Sequence, residues 1–337
     1  MYYVGLDIHQ KFIYGTIIDE KTKIVNQGKF ATTEKELFDF LGFLPNKMTK
    51  VVLESCGIWQ DIYQILESKG YSVVLANPMK VKAIASAKIK TDKVDSEILA
   101  KLLKGNLIPE TYVPPKDIRE LREIVRHRQS YVKMRTSLKN QIHAILKKNN
   151  IKIPVKDIFA KKSRIFLDKL KDEKINSYLK MIDHVDEEIK EIKAKAKSIE
   201  QFKKQARLIQ TMPGLGETAA YIILAEVGDI HRFKTPSQLC SYAGIVPSIS
   251  QSGNKCFIGR ITKQGSKWLR WIFIQCANVA INKPNKIQSY FYKLNSKKHR
   301  NVAITATARK MIYYLWHMLK NNKPYIDDHI STGVSEA

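Results

Sequence analysis

The first apolar run of the chain, Tyr2-Tyr-Val-Gly-Leu-Asp-Ile8, determines how the N-terminal region is interpreted, because it has an aspartate inside it. Burying a carboxylate without a partner is expensive, so Asp7 predicts a nearby group with which its charge interacts. Two more β-rich runs follow at 12–18 and 24–30, and the short polar breaks between the runs are typical of antiparallel hairpins. The three runs predict one side of a sheet that contains an acidic group.

Helical and β-rich segments alternate after these three strands. They are predicted, in order, as a helix, a strand, a helix, a strand and further helices, at about 33–41, 51–54, 58–68, 71–76 and 78–103. This order predicts an α/β domain with a mixed five-stranded sheet in which the first and fourth strands are neighbours. Glu54 ends the fourth strand, and we therefore expect it to face Asp7.

A second acidic pair lies in Lys90-Thr-Asp-Lys-Val-Asp-Ser-Glu-Ile-Leu-Ala100, which otherwise has helical character. Asp92 and Asp95 are three residues apart and so share one helical face. Carboxylates held this close repel each other unless a positive group lies between them. That group could be Lys90, Lys93 or a divalent cation, whereas a solvated helix start with acids near the positive end of the helix dipole is an equally good interpretation.

The predicted fold would bring all four acids together, if the later helix crosses the strands that carry Asp7 and Glu54. Four converging acids in a strongly basic chain indicate a divalent metal site. Mg²⁺ prefers oxygen ligands, and two ions about 3.5–4 Å apart can bind both the attacking and the leaving oxygen of a phosphodiester.

The charge balance predicts a polyanionic partner. The 337 residues have a formal net charge of +26, and the pI is near 9.7, which favours nucleic acid ahead of a membrane surface. No apolar run is long enough to span a bilayer, and the N-terminus lacks a signal pattern. The four cysteines show neither metal-ligand spacing nor a disulfide framework, so we expect a cytoplasmic protein with reduced thiols.

Residues 116 to about 203 are predicted to be helical, and they are rich in charge and contain no glycine. A domain boundary is predicted just before them, at Pro114-Pro115. A stripe of Ile182, Val185, Ile189 and Ile192 has the 3-4 spacing of packed helices or a coiled coil, which favours a structural and dimerising role. The basic run at 126–128 is predicted equally well as a nucleic-acid contact or as a solvated face.

The last region has the strongest electrostatic signal, because no aspartate or glutamate occurs between Asp229 and Asp327. Such a segment should bind a phosphate backbone in a salt-dependent way. Before this acid-free segment, at the start of the last region, Pro213-Gly-Leu-Gly216 resembles the hairpin of helix-hairpin-helix modules. The glycines of such hairpins allow backbone N–H groups to approach a phosphate. A plain helix–helix turn is the alternative.

Three acidic motifs together resemble a known family: Val4-Gly-Leu-Asp-Ile-His9, Leu53-Glu-Ser-Cys-Gly57 and Lys90-Thr-Asp-Lys-Val-Asp95. They are similar to the Asp-Glu-Asp-Asp domain of bacterial transposases of insertion sequence family 110 and its sister branch. The resemblance covers nearly the whole chain. It implies a RuvC-like, ribonuclease H-like domain at 1–112, in which Asp7, Glu54, Asp92 and Asp95 are catalytic and bind metal. It further implies a helical coiled-coil spacer at 113–205, a mainly α-helical C-terminal transposase domain at 206–325, and a tail at 326–337.

The same resemblance implies further chemistry and partners. The family's reactive serine stands just before a glycine after a Gly-x-x-Pro segment, and Ser252 matches that position here. We expect a pair of Mg²⁺ or Mn²⁺ ions as cofactor, and DNA and a guide non-coding RNA encoded by the element as partners. We also expect a dimer or tetramer with a composite active site that acts at the bacterial nucleoid. The residues predicted to contact nucleic acid are Lys90, Lys93, Arg126, Arg128, Gly214, Gly216, Lys255, Arg260, Lys263, Lys267 and Arg270.

Two other functional classes stay open at this level. A RuvC-like nuclease or Holliday-junction resolvase would use the four acids with water as nucleophile and would not need Ser252. A non-catalytic nucleic-acid-binding protein would need neither the acids nor the serine.

Overall fold

The structure is a computed structural model that describes residues 1–42, 44–55, 57–85, 91–155, 157–160, 163–253 and 255–327. The chain divides into two compact units, Met1–Val113 and Pro114–Ala337. The division between the two units lies at the paired prolines Pro114 and Pro115. The further division of the second unit into a spacer and a C-terminal domain stays a prediction.

The first unit is built on a mixed five-stranded sheet. Its strands are β1 (Tyr2–Ile8), β2 (Phe12–Ile18), β3 (Ile24–Ala31), β4 (Thr49–Glu54) and β5 (Ser72–Ala76). They lie in the order β3-β2-β1-β4-β5. The β1–β2 and β2–β3 pairs are antiparallel, whereas the β1–β4 and β4–β5 pairs are parallel. The predicted neighbourhood of the first and fourth strands is therefore confirmed.

Helices cover both faces of this sheet, namely α1 (Glu34–Leu41), α2 (Trp59–Ser68), α3 (Pro78–Ile84) and α4 (Asp92–Lys104). The α1 helix begins after the N-cap Thr33, whose hydroxyl accepts a hydrogen bond from the Glu36 N–H, and the Glu36 carboxylate accepts one from the Ala31 N–H, two residues before the cap. One core packs α1 and α2 against Val4 and Leu6 of β1. A second core contains residues of β4, β5, α3 and α4.

The α4 helix approaches β1 unusually closely at Gly5. A Cβ atom built on Gly5 would lie 2.1 Å from the Ser96 carbonyl oxygen and 2.6 Å from the Ala100 nitrogen. Next to this contact, the hydroxyl groups of Thr16 and Ser96 share a 2.7 Å hydrogen bond, and both residues are fully buried. The absent side chain and the buried hydrogen bond together fix the height and position of α4 above the sheet.

The second unit is mostly helical, with a two-stranded sheet of β6 (Pro247–Ser252) and β7 (Lys255–Ile261). Its helices are α5 (Lys116–Lys148), α6 (Arg164–Lys169), α7 (Glu173–Ser198), α8 (Glu200–Gln210), α9 (Glu217–Val227), α10 (Pro236–Tyr242), α11 (Lys267–Ala280), α12 (Lys286–Asn295) and α13 (Arg300–Asn321). Its largest core is formed by α8 to α13 with the start of α5 and the end of α7.

The apolar stripe of α7 is buried within the chain. Ile182, Val185, Ile189 and Ile192 are all less than a tenth exposed, α7 packs against α5, and Arg135 of α5 forms a 2.5 Å ion pair with Asp186 of α7. The stripe therefore already has a partner helix in its own chain. A coiled coil between two chains is not needed to cover it.

Two broad properties of the described residues bear on the remaining expectations. None of their helices combines the length and apolarity needed to cross a membrane. Cys240, Cys256 and Cys276 are free thiols, and Cys56 lies outside the described residues.

Candidate functional site

The acidic residues of the first unit lie where β1 and β4 end. The parallel register pairs Gly5 with Val52 and Leu6 with Leu53, so its continuation places Asp7 beside Glu54. Because side chains alternate along a strand, Asp7 points to the same face as Gly5, which is the face that α4 covers. The α4 helix begins at Asp92, with the Thr91 side chain as its N-cap. The sheet and the helix thereby bring Asp7 and Asp92 to one place.

A histidine completes this acidic cluster. The His9 Nε2 atom lies 3.1 Å from an Asp7 carboxylate oxygen and 3.5 Å from an Asp92 carboxylate oxygen. Among the described residues, Asp7, His9 and Asp92 form a group whose ligand atoms all lie within 4.8 Å of one another. We call these three residues the acidic cluster. The signal for His9 in the sequence is its position two residues after Asp7, in Asp7-Ile-His9.

The surroundings of Asp7 disfavour its negative charge. Burial is the main cause that raises the pKa of the Asp7 carboxyl above its ordinary value; contact with His9 opposes this, and the charges of Asp92 and Asp95 add to the increase. Asp95 is therefore close enough to interact with Asp7, although it lies outside the trio. A carboxylate in such a position is stabilised by a cation placed between it and its acidic neighbours.

The donor set of the acidic cluster fits a divalent cation. Two half-buried carboxylates and one imidazole, each able to turn an atom toward a common point, are ligands that Mn²⁺ and other first-row metals accept. Mg²⁺ prefers oxygen atoms alone and would use the carboxylates, with His9 hydrogen-bonded beside them. Glu54, at the end of the neighbouring strand, is partly buried.

The predicted serine lies on a different element, at the tip of the β6–β7 hairpin in the second unit. Ser252 ends β6, is exposed, and pairs directly with Lys255 of β7. Gly253 follows it with a φ of 56°, a left-handed conformation that glycine adopts without strain. Arg260 lies five residues beyond Lys255, so it is about 16 Å further along the strand and on its other face. Within the hairpin, Lys255 is therefore the cation beside Ser252.

Of the two predicted nucleic-acid contacts on α5, Arg126 has a structural partner, whereas the buried Arg128 Nε has no hydrogen-bond partner among the described residues. The Arg126 guanidinium donates two hydrogen bonds, of 3.0 and 2.8 Å, to one carboxylate oxygen of Glu226, whose side chain is only 2% exposed. The other Glu226 oxygen accepts a 2.8 Å hydrogen bond from Ser266, the N-cap of α11. Arg128 is half-buried, and burial followed by repulsion from Arg135 lowers the pKa of its guanidinium. Sequence reasoning missed Glu226, which lies inside an apolar helix.

The remaining predicted contacts divide into enclosed and open groups. Arg270 donates hydrogen bonds to the carbonyl oxygens of Ala243 and Lys263. Gly214, with a φ of 83°, packs against the α11 backbone, where a Cβ atom would lie 2.4 Å from the Cys276 carbonyl oxygen. The exposed residues are Lys93, Gly216 (nothing within 4 Å of a built Cβ), Lys255, Arg260, Lys263 and Lys267. Lys90 lies outside the described residues.

Comparison with known proteins gives matches to both units. A DEDD model of IS110 proteins, described as a transposase, matches residues 4–151, and a model described as a transposase of the IS116/IS110/IS902 family matches residues 206–293. The chain is 26% identical to the transposase for insertion sequence element IS1111A of Coxiella burnetii, over 95% of this chain and 87% of that protein. It is 23% identical to the transposase for insertion sequence element IS1328 of Yersinia enterocolitica, over 83% and 86% of the two chains. It is 24% identical to the pilin gene-inverting protein of Moraxella bovis, over 82% and 81%.

Proposed function

Because the chain belongs to the insertion sequence 110 family of transposases, we propose that it cuts and rejoins DNA strands with the acidic cluster and Ser252 acting on the same phosphodiester. The mixed sheet and its helices fit a ribonuclease H-like transposase. The observation that carries the proposal is the convergence of Asp7, His9 and Asp92 at the ends of β1 and α4.

The acids' role in this proposal is to hold divalent cations. Asp7 and Asp92 would be ligands, with Glu54 and Asp95 beside them as further carboxylates for one or two Mg²⁺ or Mn²⁺ ions. A cation bound there would stabilise negative charge on the attacking and leaving oxygens of the phosphodiester. His9 would orient the two carboxylates it contacts and keep them from turning away from each other.

Ser252 supplies the nucleophile in this proposal. A serine hydroxyl is a poor nucleophile unless a base or a metal activates it, and the sequence from 230 to 326 contains no aspartate or glutamate. The activating charge would therefore come from the acidic cluster of the same chain or of a partner subunit. The exposed position of Ser252 at a hairpin tip supports its presentation to a substrate.

The proposed reaction proceeds in two exchanges. The Ser252 oxygen attacks a DNA phosphorus and loses its proton to water, the P–O3′ bond breaks, and the 3′-oxygen takes up a proton from water to become a free 3′-hydroxyl. A 3′-hydroxyl of another strand then loses its proton and attacks the phosphoserine phosphorus, the P–O bond to serine breaks, and the serine oxygen is protonated. Lys255, directly opposite Ser252, would neutralise the charge that develops on the phosphorus oxygens.

The proposed partners follow from charge and from family. The absence of aspartate and glutamate from 230 to 326 supports binding of a phosphate backbone. We include an element-encoded guide RNA, and a dimer or tetramer that shares its sites between subunits, on the strength of the family alone.

Strand exchange of a marked DNA substrate tests the proposal with two variants and a matched control. We expect Ser252→Ala to abolish exchange while metal binding persists, and Asp92→Asn to lose both. Ser250→Ala changes an exposed serine of the same strand and should leave exchange intact. Normal exchange by Ser252→Ala would refute the serine; metal-dependent cutting without joining would favour a RuvC-like nuclease that uses water.

A further inference from the structure

The second unit contains a basic, aromatic groove outside the hairpin and the acidic cluster. It lies between α5 and the start of α11 and has a volume of about 650 Å³, which is within the usual size of small-ligand sites. Gln129, Lys133 and Asn140 contribute from α5, and Lys267, Trp268 and Trp271 contribute from α11. We call this the α5–α11 groove.

Trp268 offers an aromatic face in this groove. Lys133 Nζ lies 4.9 Å from the centre of its ring, and Lys267 Nζ lies 5.6 Å from it. Trp271, one turn further along α11, packs against the main core of the unit and forms one side of the α5–α11 groove. The attraction between a lysine and an indole ring is weak, so either ammonium group can move from the ring and pair with an anion.

Gln129 points independently to a ligand. Its side chain lines the groove, the residue is only 5% exposed, and its Oε1 atom has no hydrogen-bond partner among the described residues. An unpaired buried amide is costly and uncommon in folded proteins. Rotation about the Cγ–Cδ bond can turn either its acceptor or its donor toward a bound molecule, which would recover the missing hydrogen bond.

The charge of the groove selects an anionic ligand. Its lining includes two lysines and no acidic residue among those that the structure describes. The first turn of α11, which begins at Lys267 after the Ser266 cap, adds the positive end of a helix dipole. An aromatic face, a hydrogen-bonding amide and two cations within one groove match the base and the phosphate of a nucleotide.

We propose that the α5–α11 groove binds one unpaired nucleotide of a single-stranded nucleic acid. The base stacks on Trp268, its edge hydrogen-bonds to Gln129, and Lys133 and Lys267 pair with the flanking phosphates. Bases inside a duplex cannot offer a free face to Trp268, so the groove discriminates against paired strands. This inference takes the ligand class from the proposed function, but it assigns no part of the cutting reaction to the groove.

Binding of labelled oligonucleotides to the full chain tests the groove. Single-stranded DNA, single-stranded RNA and duplex DNA of about twelve units are suitable probes, because single-strand sites span about 4–16 nucleotides. Fluorescence anisotropy in the presence of EDTA measures affinity without strand cutting. A failure of strand exchange alone would therefore count against the proposed function and not against the groove.

Four variants define the expected result. Trp268→Ala should weaken single-strand binding by about tenfold or more, Trp268→Phe by less, and Gln129→Leu by several fold, with duplex binding nearly unchanged. Lys133→Ala should weaken it more than Lys139→Ala, the matched control, because Lys139 also lies on α5 over an aromatic ring, Phe159, at 4.6 Å. A preference for RNA or for DNA among the single strands identifies the source of the nucleotide.

Two results would overturn the inference. One is an equal loss for Trp268→Ala and Lys139→Ala, and the other is an equal loss of duplex and single-strand binding. Thermal melting by circular dichroism checks each variant's fold. If Trp268→Ala fails to fold, Trp268→Phe and Gln129→Leu decide, and unchanged binding by both also overturns the inference.

Discussion

Replacing Gly5 by alanine should displace the helix that carries half of the predicted acids. The new Cβ atom would lie 2.1 Å from the Ser96 carbonyl oxygen, whereas ordinary carbon–oxygen contacts are about 3.3 Å or longer. The clashing atoms are backbone, so no side chain can turn aside, and α4 must withdraw by about 1 Å. Overpacking of this kind costs about 1–3 kcal/mol of stability, and a 1 Å misplacement of reacting groups costs about 100-fold in rate.

Gly28→Ala is a matched control for this change. Gly28 lies in β3 of the same sheet, does not have a positive φ, and would place its Cβ in open space. Such a substitution should be neutral or stabilise the fold by up to about 1 kcal/mol.

Urea unfolding and DNA strand exchange measure the two consequences, at a temperature where all variants are folded. We expect Gly5→Ala to lower both the free energy of unfolding and the rate of exchange, and Mn²⁺ affinity with them. If Gly5→Ala matches Gly28→Ala in stability and activity, then α4 is not fixed by its contact with Gly5.

Three shorter predictions follow from other contacts. Glu226→Gln should lower the free energy of unfolding by about 1–3 kcal/mol, because it weakens a buried charge-assisted network. The control Glu217→Gln should lower it by less than about 1 kcal/mol, because its partners Lys193 and Lys197 are exposed. Equal losses for the two variants in urea unfolding would contradict this prediction. Asp92→Asn should weaken Mn²⁺ binding by more than about tenfold in calorimetric titration, whereas Asp61→Asn in α2 should not, and an unchanged Asp92→Asn titration would exclude the acidic cluster as the metal site. If Ser252 acts with the acids of a partner subunit, a mixture of Ser252→Ala and Asp92→Asn subunits regains strand exchange; if both groups come from one chain, the mixture stays inactive.

The strands of the first unit could be predicted closely from sequence, because each is a short apolar run bounded by polar residues. The predicted and observed limits of the first two strands coincide. Local signals also placed the start of α1 near Thr33 and the acidic start of α4. Each of these features depends on residues within a few positions of one another.

The features that position the site depend on contacts between distant residues, which local patterns do not encode. Gly5 contacts Ser96 of α4, 91 residues later in sequence, and Glu226 is paired with Arg126 from a helix that lies a hundred residues earlier in sequence. Because the sequence does not reveal the pairing with Glu226, Arg126 is interpreted from sequence as a surface cation. The α7 stripe shows the same limit, since its spacing cannot distinguish a partner helix within the chain from one in another chain.

Mass spectrometry of the protein–DNA adduct tests the central claim most directly. DNA cut in the presence of Mg²⁺ and quenched with denaturant should leave a nucleotide attached to the tryptic peptide that contains Ser252, and Ser252→Ala should leave none. An adduct on another residue, or efficient strand exchange in which the protein never becomes joined to DNA, would contradict the account.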